Sequence, residues 1–275
     1  MAFRSPEFTL TLQFGERSRK NSMARDEEPG TVLVTGAGRR LGRAIALDFA
    51  TRGWRVGVHY HASAAEALDL VAEIERMGAK AAALVADLAR LDMLSPLIAA
   101  CAERLGPVTC LVNNAACFER DSAETLDGES WQAHLDVNLR APVFLTQAFA
   151  KALPEQTQGN VINLIDQRVL SLDPGFFSYT IAKSALWTAT RTLAQALAPQ
   201  IRVNAIAPGP VLPSRAQGEA AFERECRSTL LQRAVGPEEV TAAISFLLAT
   251  PSVTGQMIAL DAGQHLAWRT EPEGD

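Results

Sequence analysis

The 275-residue sequence lacks most of what would mark a chain for a membrane, a metal or a nucleic acid. No stretch approaches the ~18 consecutive apolar residues that a spanning helix needs. No apolar core of a secretory signal precedes a small-residue cleavage site. Lys and Arg (26) are outnumbered by Asp and Glu (31), and the net charge of −5 offers no basic field to a polyanion. The four cysteines, Cys101, Cys110, Cys117 and Cys226, have no metal-ligand spacing, and His59 and His61 stand beside no further ligand. These absences predict reduced thiols, no metal, no nucleic-acid or membrane partner, and a reducing, cytoplasmic location. No Pro/Gly/Ser-rich linker divides residues 30–268, and no repeat or low-complexity tract interrupts them. Residues 1–28 are polar and aperiodic and end at Pro29-Gly30, with Met23 an alternative start; they are expected to be a disordered leader. Glu7, Glu16 and Asp26 speak against a transit peptide. Residues 29–270 are expected to form the folded domain and 271–275 a frayed tail.

What is present is an alternation. "TVLVT", "RVGVHY", "AAALVAD", "VTCLVNNA", "NVINLI", "IRVNAIAP" and "QMIALDAG" are short apolar runs that read as strands. Longer amphipathic stretches separate them. Leu41, Ala44, Ile45 and Phe49 recur at helical spacing before Gly53, and a second helix stops at Gly78. Further helices are expected over "LDMLSPLIAACAERLG", around a long stretch at 131–153, at 177–198 and at 237–250, the last with Pro237 at a permitted first-turn position. Strands alternating with helices predict an α/β fold: one doubly wound, Rossmann-type parallel sheet of about seven strands with helices on both faces. Ligands of such sheets bind beyond the carboxyl ends of the strands, where the polar motifs of this sequence cluster.

"TGAGRRLG", residues 35–42, follows the first strand. Gly36 and Gly42 allow backbone to approach a pyrophosphate, and the helix starting near Leu41 offers free N–H groups and a positive dipole end. Arg39 and Arg40 stand at the mouth of the turn, where a charged side chain needs an anionic partner or solvent. The second strand ends "VHYHASAAE". A dinucleotide with a free ribose 2′-hydroxyl usually meets Asp or Glu at this point, yet the first acid is Glu66, on the next helix. His61, Ser63 and nearby Arg40 are donors without an acid, which favours a 2′-phosphate and hence NADPH. Ser63 also reads as a helix cap toward Glu66. Asp87, after the third strand, stands either near an adenine amino group or as the cap of the following helix. Asn113 and Asn114 close the fourth strand with amide donors and acceptors. Asp166 closes the fifth, where a carboxylate must be solvated, hydrogen bonded or protonated. Tyr179 and Lys183, at i and i+4, share one helix face. An ammonium beside a phenol lowers its pKa, so a Tyr179 able to pass a proton near neutral pH is expected.

Taken in order, "TGAGRRLG", "NNA" at Asn113, Asn138 in the long helix, Tyr179-x-x-x-Lys183 and "PGP" at Pro208 resemble the short-chain dehydrogenase/reductase family over residues 30–268. The resemblance implies a nicotinamide cofactor and a catalytic group containing Asn138, Tyr179 and Lys183. It adds Leu41, Ala115, Pro208 and Gly209 to the cofactor contacts, and Lys183 would also touch the nicotinamide ribose. It also implies a homotetramer through long helices at about 128–153 and 175–198, with the C-terminal "GQHLAW" reaching a neighbouring active site; alternatively, Trp268 packs on its own sheet.

Two departures look like the pteridine reductase branch. Arg40 replaces the family's usual middle glycine, and Asp166 stands where the catalytic serine would be. "HYHASAAEA" and an aromatic at Phe118 are also similar to that branch. There the arginine contacts phosphate and pterin, and the aromatic sandwiches the pterin. Ala116 and Ala62 differ from its usual serine and arginine, and 211–235 has no recognisable match. The implied activity is NADPH-dependent pterin reduction: hydride to a ring C=N carbon, a proton from Tyr179, and substrate held by Arg40, Phe118 and Asp166. The alternatives are a carbonyl reductase of a 3-oxoacyl thioester or sugar ketone, with Ser171 or Ser178 as hydroxyl donor, and a catalytically silent NADPH-binding regulatory protein.

Overall fold

The computed structural model describes residues 29–213 and 218–268; the expected leader at 1–28 and tail at 271–275 lie outside the described residues. Strands β1 (Thr31–Val34), β2 (Arg55–Tyr60), β3 (Ala81–Val85), β4 (Val108–Asn113), β5 (Gly159–Leu164), β6 (Ile201–Pro208) and β7 (Met257–Leu260) form one sheet in the order β3-β2-β1-β4-β5-β6-β7. Every pairing is parallel. The expected doubly wound fold is therefore the one formed.

The helices are α1 (Arg40–Thr51), α2 (Ala64–Arg76), α3 (Leu94–Leu105), α4 (Gly128–Leu135), α5 (Ala141–Ala152), α6 (Phe177–Leu197), α7 (Glu219–Ser228) and α8 (Pro237–Ala249). The central strands are buried on both faces, so their side chains alternate between two cores. Val32, Val34, Cys110, Val112 and Ile162 meet Ile45 and Phe49 of α1, Leu70 and Ile74 of α2 and Ile244 of α8. Leu33, Leu111 and Val161 meet Ile98 of α3, Leu145 and Phe149 of α5 and Ala194 of α6.

Three local features differ from the sequence expectation. The long helix is broken into α4 and α5 by a π-helical turn over Asp136–Arg140, which carries Asn138. α7 forms within 211–235, where the sequence reading placed no element, on a short stripe of Ala221, Phe222 and Cys226, and buries only Cys226. Ser63 stands at the N-cap position of α2 but its hydroxyl makes no capping bond, and the Glu66 carboxylate pairs with Arg39 at 3.0 Å. Among the described residues, no helix is long and apolar enough to cross a membrane, and no cluster of three His, Cys, Asp or Glu could hold a metal.

Candidate active site

The chain order changes direction between β1 and β4, and the motif residues gather at this switch point. Thr35, after β1, ties the two strand ends together. Its hydroxyl accepts the N–H groups of Asn114 (2.9 Å) and Ala115 (3.0 Å). Asn114 Nδ2 donates back to the Thr35 carbonyl at 2.9 Å. Gly42 is obligatory in this fabric, since a Cβ there would stand 2.3 Å from the Gly36 carbonyl oxygen and 2.6 Å from Asn114 Nδ2. Gly36 adopts φ +63°. α1 starts at Arg40 with no side-chain cap at Arg39, so its first-turn N–H groups face the turn unengaged by side chains. Asn113 donates to Asn163 at 2.8 Å, but its own Oδ1 is buried without a hydrogen-bond partner. A glycine cradle, an uncapped helix start and an orphaned acceptor at one strand end fit a phosphorylated dinucleotide.

Arg40 is the exception within the turn. It adopts φ +54°, left-handed backbone that favours glycine. Its guanidinium, expected on phosphate and substrate, donates to the carbonyls of Pro213 (2.5 Å) and Leu212 (3.0 Å) in the segment after β6. His61 is exposed, and Ser63 Oγ lies against Gly38, 3.0 Å from where a Cβ would be. Asp87 accepts the Ala89 N–H at 2.9 Å; it shapes a local turn and does not cap α3, which starts at Leu94. Leu41 lies in the first turn of α1. Pro208 ends β6 opposite Leu260, and the Gly209 N–H donates to Leu260 O at 2.8 Å.

The second half of the site lies past β4 and β5. Tyr179 is buried, and its hydroxyl donates to Asp166 Oδ2 at 3.0 Å. Lys183 Nζ donates to the Leu164 carbonyl at 2.7 Å and lies 5.7 Å from the centre of the Tyr179 ring. Asn138, wholly buried in the π turn, clasps the Cys117 peptide: Oδ1 accepts its N–H (2.9 Å) and Nδ2 donates to its carbonyl (2.8 Å). That clasp fixes the residue before Phe118. The Phe118 ring stacks on Phe176, centroids 4.5 Å apart, and meets Tyr179 edge-on at 4.8 Å. Asp166, Tyr179 and Phe118 thus lie together, with Lys183 under the Tyr179 ring and Asn138 joined to them through the Cys117 peptide.

Electrostatics correct one expectation. The Tyr179 phenol is not lowered by Lys183; burial first, and then the charge and hydrogen bond of Asp166, raise it well above its usual value. Burial pushes Lys183 down to about 8, with Asp166 opposing. The positive charge acting on the phenol is Arg168, a residue the sequence reading missed. Arg168 Nη1 reaches both Asp166 oxygens, at 3.2 and 3.3 Å, and the guanidinium lies over Phe176 (4.6 Å) and Phe118 (5.4 Å). Asp173 (3.5 Å) and Glu225 of α7 (3.9 Å) complete its surroundings. Burial works to lower the Arg168 pKa, yet these carboxylates together raise it.

Behind Tyr179 sits a buried polar chain that the sequence did not announce. Asp121 Oδ1 accepts the Ser178 N–H at 3.1 Å, Oδ2 accepts the Ser178 hydroxyl, and His134 Nδ1 is 2.6 Å from that hydroxyl. His134 Nε2 accepts the Glu119 N–H at 3.2 Å, so the imidazole is neutral with its proton on Nδ1. Its pKa is lowered by burial, against the pull of Asp121 and Glu119. Ser178, one of the two hydroxyls weighed as a ketone-binding donor, is consumed here, and Ser171 is exposed. All four cysteines are free, Cys117 alone being half-buried.

Comparison with known proteins shows what the chain is similar to. A family profile described as enoyl-(acyl carrier protein) reductase matches residues 36–265. The chain is 34% identical over 236 residues to a 3-oxoacyl-[acyl-carrier-protein] reductase of Synechocystis, covering 84% of this chain and 95% of that protein. It is 32% identical over 277 aligned positions to pteridine reductase 1 of Leishmania tarentolae, covering 86% and 96%. Among solved structures, FolM alternative dihydrofolate reductase 1 of Brucella suis, in complex with NADP, is 48% identical with a TM-score of 0.85, covering 88% and 97%.

Proposed function

The chain belongs to the short-chain dehydrogenase/reductase family, and from that premise we propose that it is an NADPH-dependent reductase of pterins, of the dihydropterin or dihydromonapterin type. The observation that carries the reading is the Asp166 carboxylate 3.0 Å from the Tyr179 hydroxyl, beside the Phe118 ring. A carboxylate repels the oxyanion that develops on a reduced ketone. It suits a heterocycle whose N–H and amino groups donate to it. The NADP-bound Brucella suis relative and the Leishmania pteridine reductase support the same reading. For the cofactor, β2 ends without an Asp or Glu, and the nearby His61, Ser63 and Arg40 are donors suited to a 2′-phosphate.

Bound NADPH supplies a hydride to the carbon of a ring C=N bond. Tyr179 gives its proton to the adjacent ring nitrogen; its raised pKa keeps the phenol protonated until that base arrives. The hydroxyl proton, which points at Asp166 in the structure, would turn to the ring nitrogen once the substrate's N–H groups take its place on the carboxylate. Arg168 balances the Asp166 charge and, with Phe176, supports the Phe118 ring. Lys183 keeps a positive charge 5.7 Å from the Tyr179 ring and is the residue that would hold a ribose hydroxyl of the cofactor. The protein works in the cytoplasm as a homotetramer, in which α5 and α6 cover the exposed Phe144 and Ile181. The test is NADPH consumption with dihydropterins, quinonoid pterins, dihydrofolate and a 3-oxoacyl thioester side by side. Turnover confined to the thioester overturns the pterin assignment, and binding of NADPH without turnover on any of them overturns the enzyme reading.

A further inference from the structure

We propose that His59 is a positioning residue for the dinucleotide: its buried imidazole ties the glycine turn after β1 to the turn after β3 and sets the spacing between the pyrophosphate and adenine ends of the cofactor site. The inference rests on the NADPH reading and is independent of the pterin assignment.

His59 lies in β2, between β1 and β3, and is 1% exposed. Its strand neighbours on the same sheet, Val56 and Val58, are apolar. A polar ring in such a place carries a desolvation cost unless both nitrogens are satisfied. Both are. Nδ1 accepts the Gly36 N–H at 3.0 Å, and Nε2 is 3.1 Å from the Ala86 carbonyl. Because Gly36 can only donate and Ala86 O can only accept, one neutral tautomer, with the proton on Nε2, makes both bonds.

The two partners are not arbitrary backbone groups. The main chain of β2 already holds the neighbouring peptides, with Ala37 N donating to His59 O (2.9 Å) and Ala86 N to Tyr60 O (3.1 Å). The imidazole adds the next group in each turn, the Gly36 N–H and the Ala86 C=O. Gly36 is left-handed and pressed against Ala115, so the tilt of its peptide sets how the cradle from Gly36 to Gly42 faces its ligand. Ala86 precedes Asp87, the residue that shapes the turn after β3. A dinucleotide spanning both turns feels their separation, whereas a ligand resting on one turn does not.

Three variants of the full chain separate positioning from bulk packing. Asn places an acceptor where Nδ1 stands, Gln places polar atoms where Nε2 stands, and Phe fills the volume with neither. Affinity for NADPH is read by nucleotide fluorescence, and affinity for adenosine 2′-monophosphate, which carries the adenine end without the pyrophosphate, by calorimetry. His59→Phe is expected to weaken NADPH about tenfold or more, since both the Gly36 N–H and the Ala86 carbonyl lose their partner. His59→Asn and His59→Gln each break one of the two ties and are expected to weaken NADPH about three- to tenfold. The monophosphate affinity is expected to hold in all three, as is kcat at saturating NADPH. Unchanged NADPH affinity in Phe, parental affinity in both Asn and Gln, or loss of monophosphate affinity in step with the whole dinucleotide overturns the proposal. If Phe does not fold, Asn and Gln decide alone, and parental NADPH affinity in both overturns it.

Discussion

Replacing Asp166 by serine gives the site the hydroxyl that the rest of the family would place there, and the two substrate readings then diverge in sign. The Asp166 carboxylate accepts the Arg168 N–H (2.8 Å) and the Tyr179 hydroxyl (3.0 Å) on different oxygens, with Arg168 Nη1 near both. A serine oxygen sits one bond nearer the backbone and reaches one of these partners at most. For a pterin, the variant removes charge-assisted acceptors, each contributing about 1.5–3 kcal/mol. At ~1.4 kcal/mol per decade, kcat/KM for a dihydropterin should fall about 10- to 100-fold. For a ketone the same change removes a negative charge that opposes the oxyanion, and the rate should rise. The phenol should also drop in pKa, since both the charge and the hydrogen bond that raise it disappear while burial remains. Steady-state rates with a dihydropterin and a 3-oxoacyl thioester, on parent and variant, read both arms. Faster pterin turnover in Asp166→Ser would refute the role given to the carboxylate, even with the pterin assignment intact.

Tyr179→Phe should bind NADPH normally and lose roughly 10²–10⁴-fold in turnover, the usual contribution of a positioned proton donor; single-turnover rates check it. Asp121 caps α6 from another loop, so Asp121→Ala strips partners from the Ser178 N–H and hydroxyl. A cap and a buried hydroxyl together predict a loss of about 2–4 kcal/mol, read by denaturant unfolding, and an unchanged midpoint would contradict it. Acid should destabilise the protein through His59, whose pKa burial lowers from 6.5 to about 4. The unfolded imidazole takes its proton near the ordinary value and the folded one does not. Stability therefore holds above that window and declines by up to about 3 kcal/mol as pH falls through it. His59→Asn should flatten this slope in unfolding curves taken at the two ends of the window.

The sheet is legible because strands buried on both faces need predominantly apolar runs, and "TVLV", "RVGVHY" and "IRVNAIAP" supply them with few polar interruptions. Tyr179 and Lys183 are legible because a helix converts i, i+4 into proximity, and Asp166 because a carboxylate closing an apolar strand stands out. α7 is less so, since "EAAFERECRS" is mostly charged and small, carries only Ala221, Phe222 and Cys226 on one face, and buries one side chain. The π turn is an insertion in hydrogen bonding that leaves composition untouched. Arg168 acquires its meaning from Phe118 and Glu225, both remote in sequence, and His59 from two turns on either side of its strand. Ser63 and Glu66 match a local capping pattern, but an arginine from the preceding turn takes the acid.

The left-handed backbone at Arg40 bears on how this sequence can drift. An L residue there carries roughly 1–2 kcal/mol of backbone strain that glycine does not. Arginine and glycine codons differ by a single base, so the change that relieves the strain is also among the most accessible. In a library of Arg40 variants screened for abundance, glycine should rank at or above arginine. In the same library screened for NADPH retention, it should rank well below. A position at which the two screens disagree in sign marks a residue held in place by its ligand and not by the fold. Should glycine prove neutral in both, the guanidinium at the mouth of the turn would be an ornament of ancestry and nothing more.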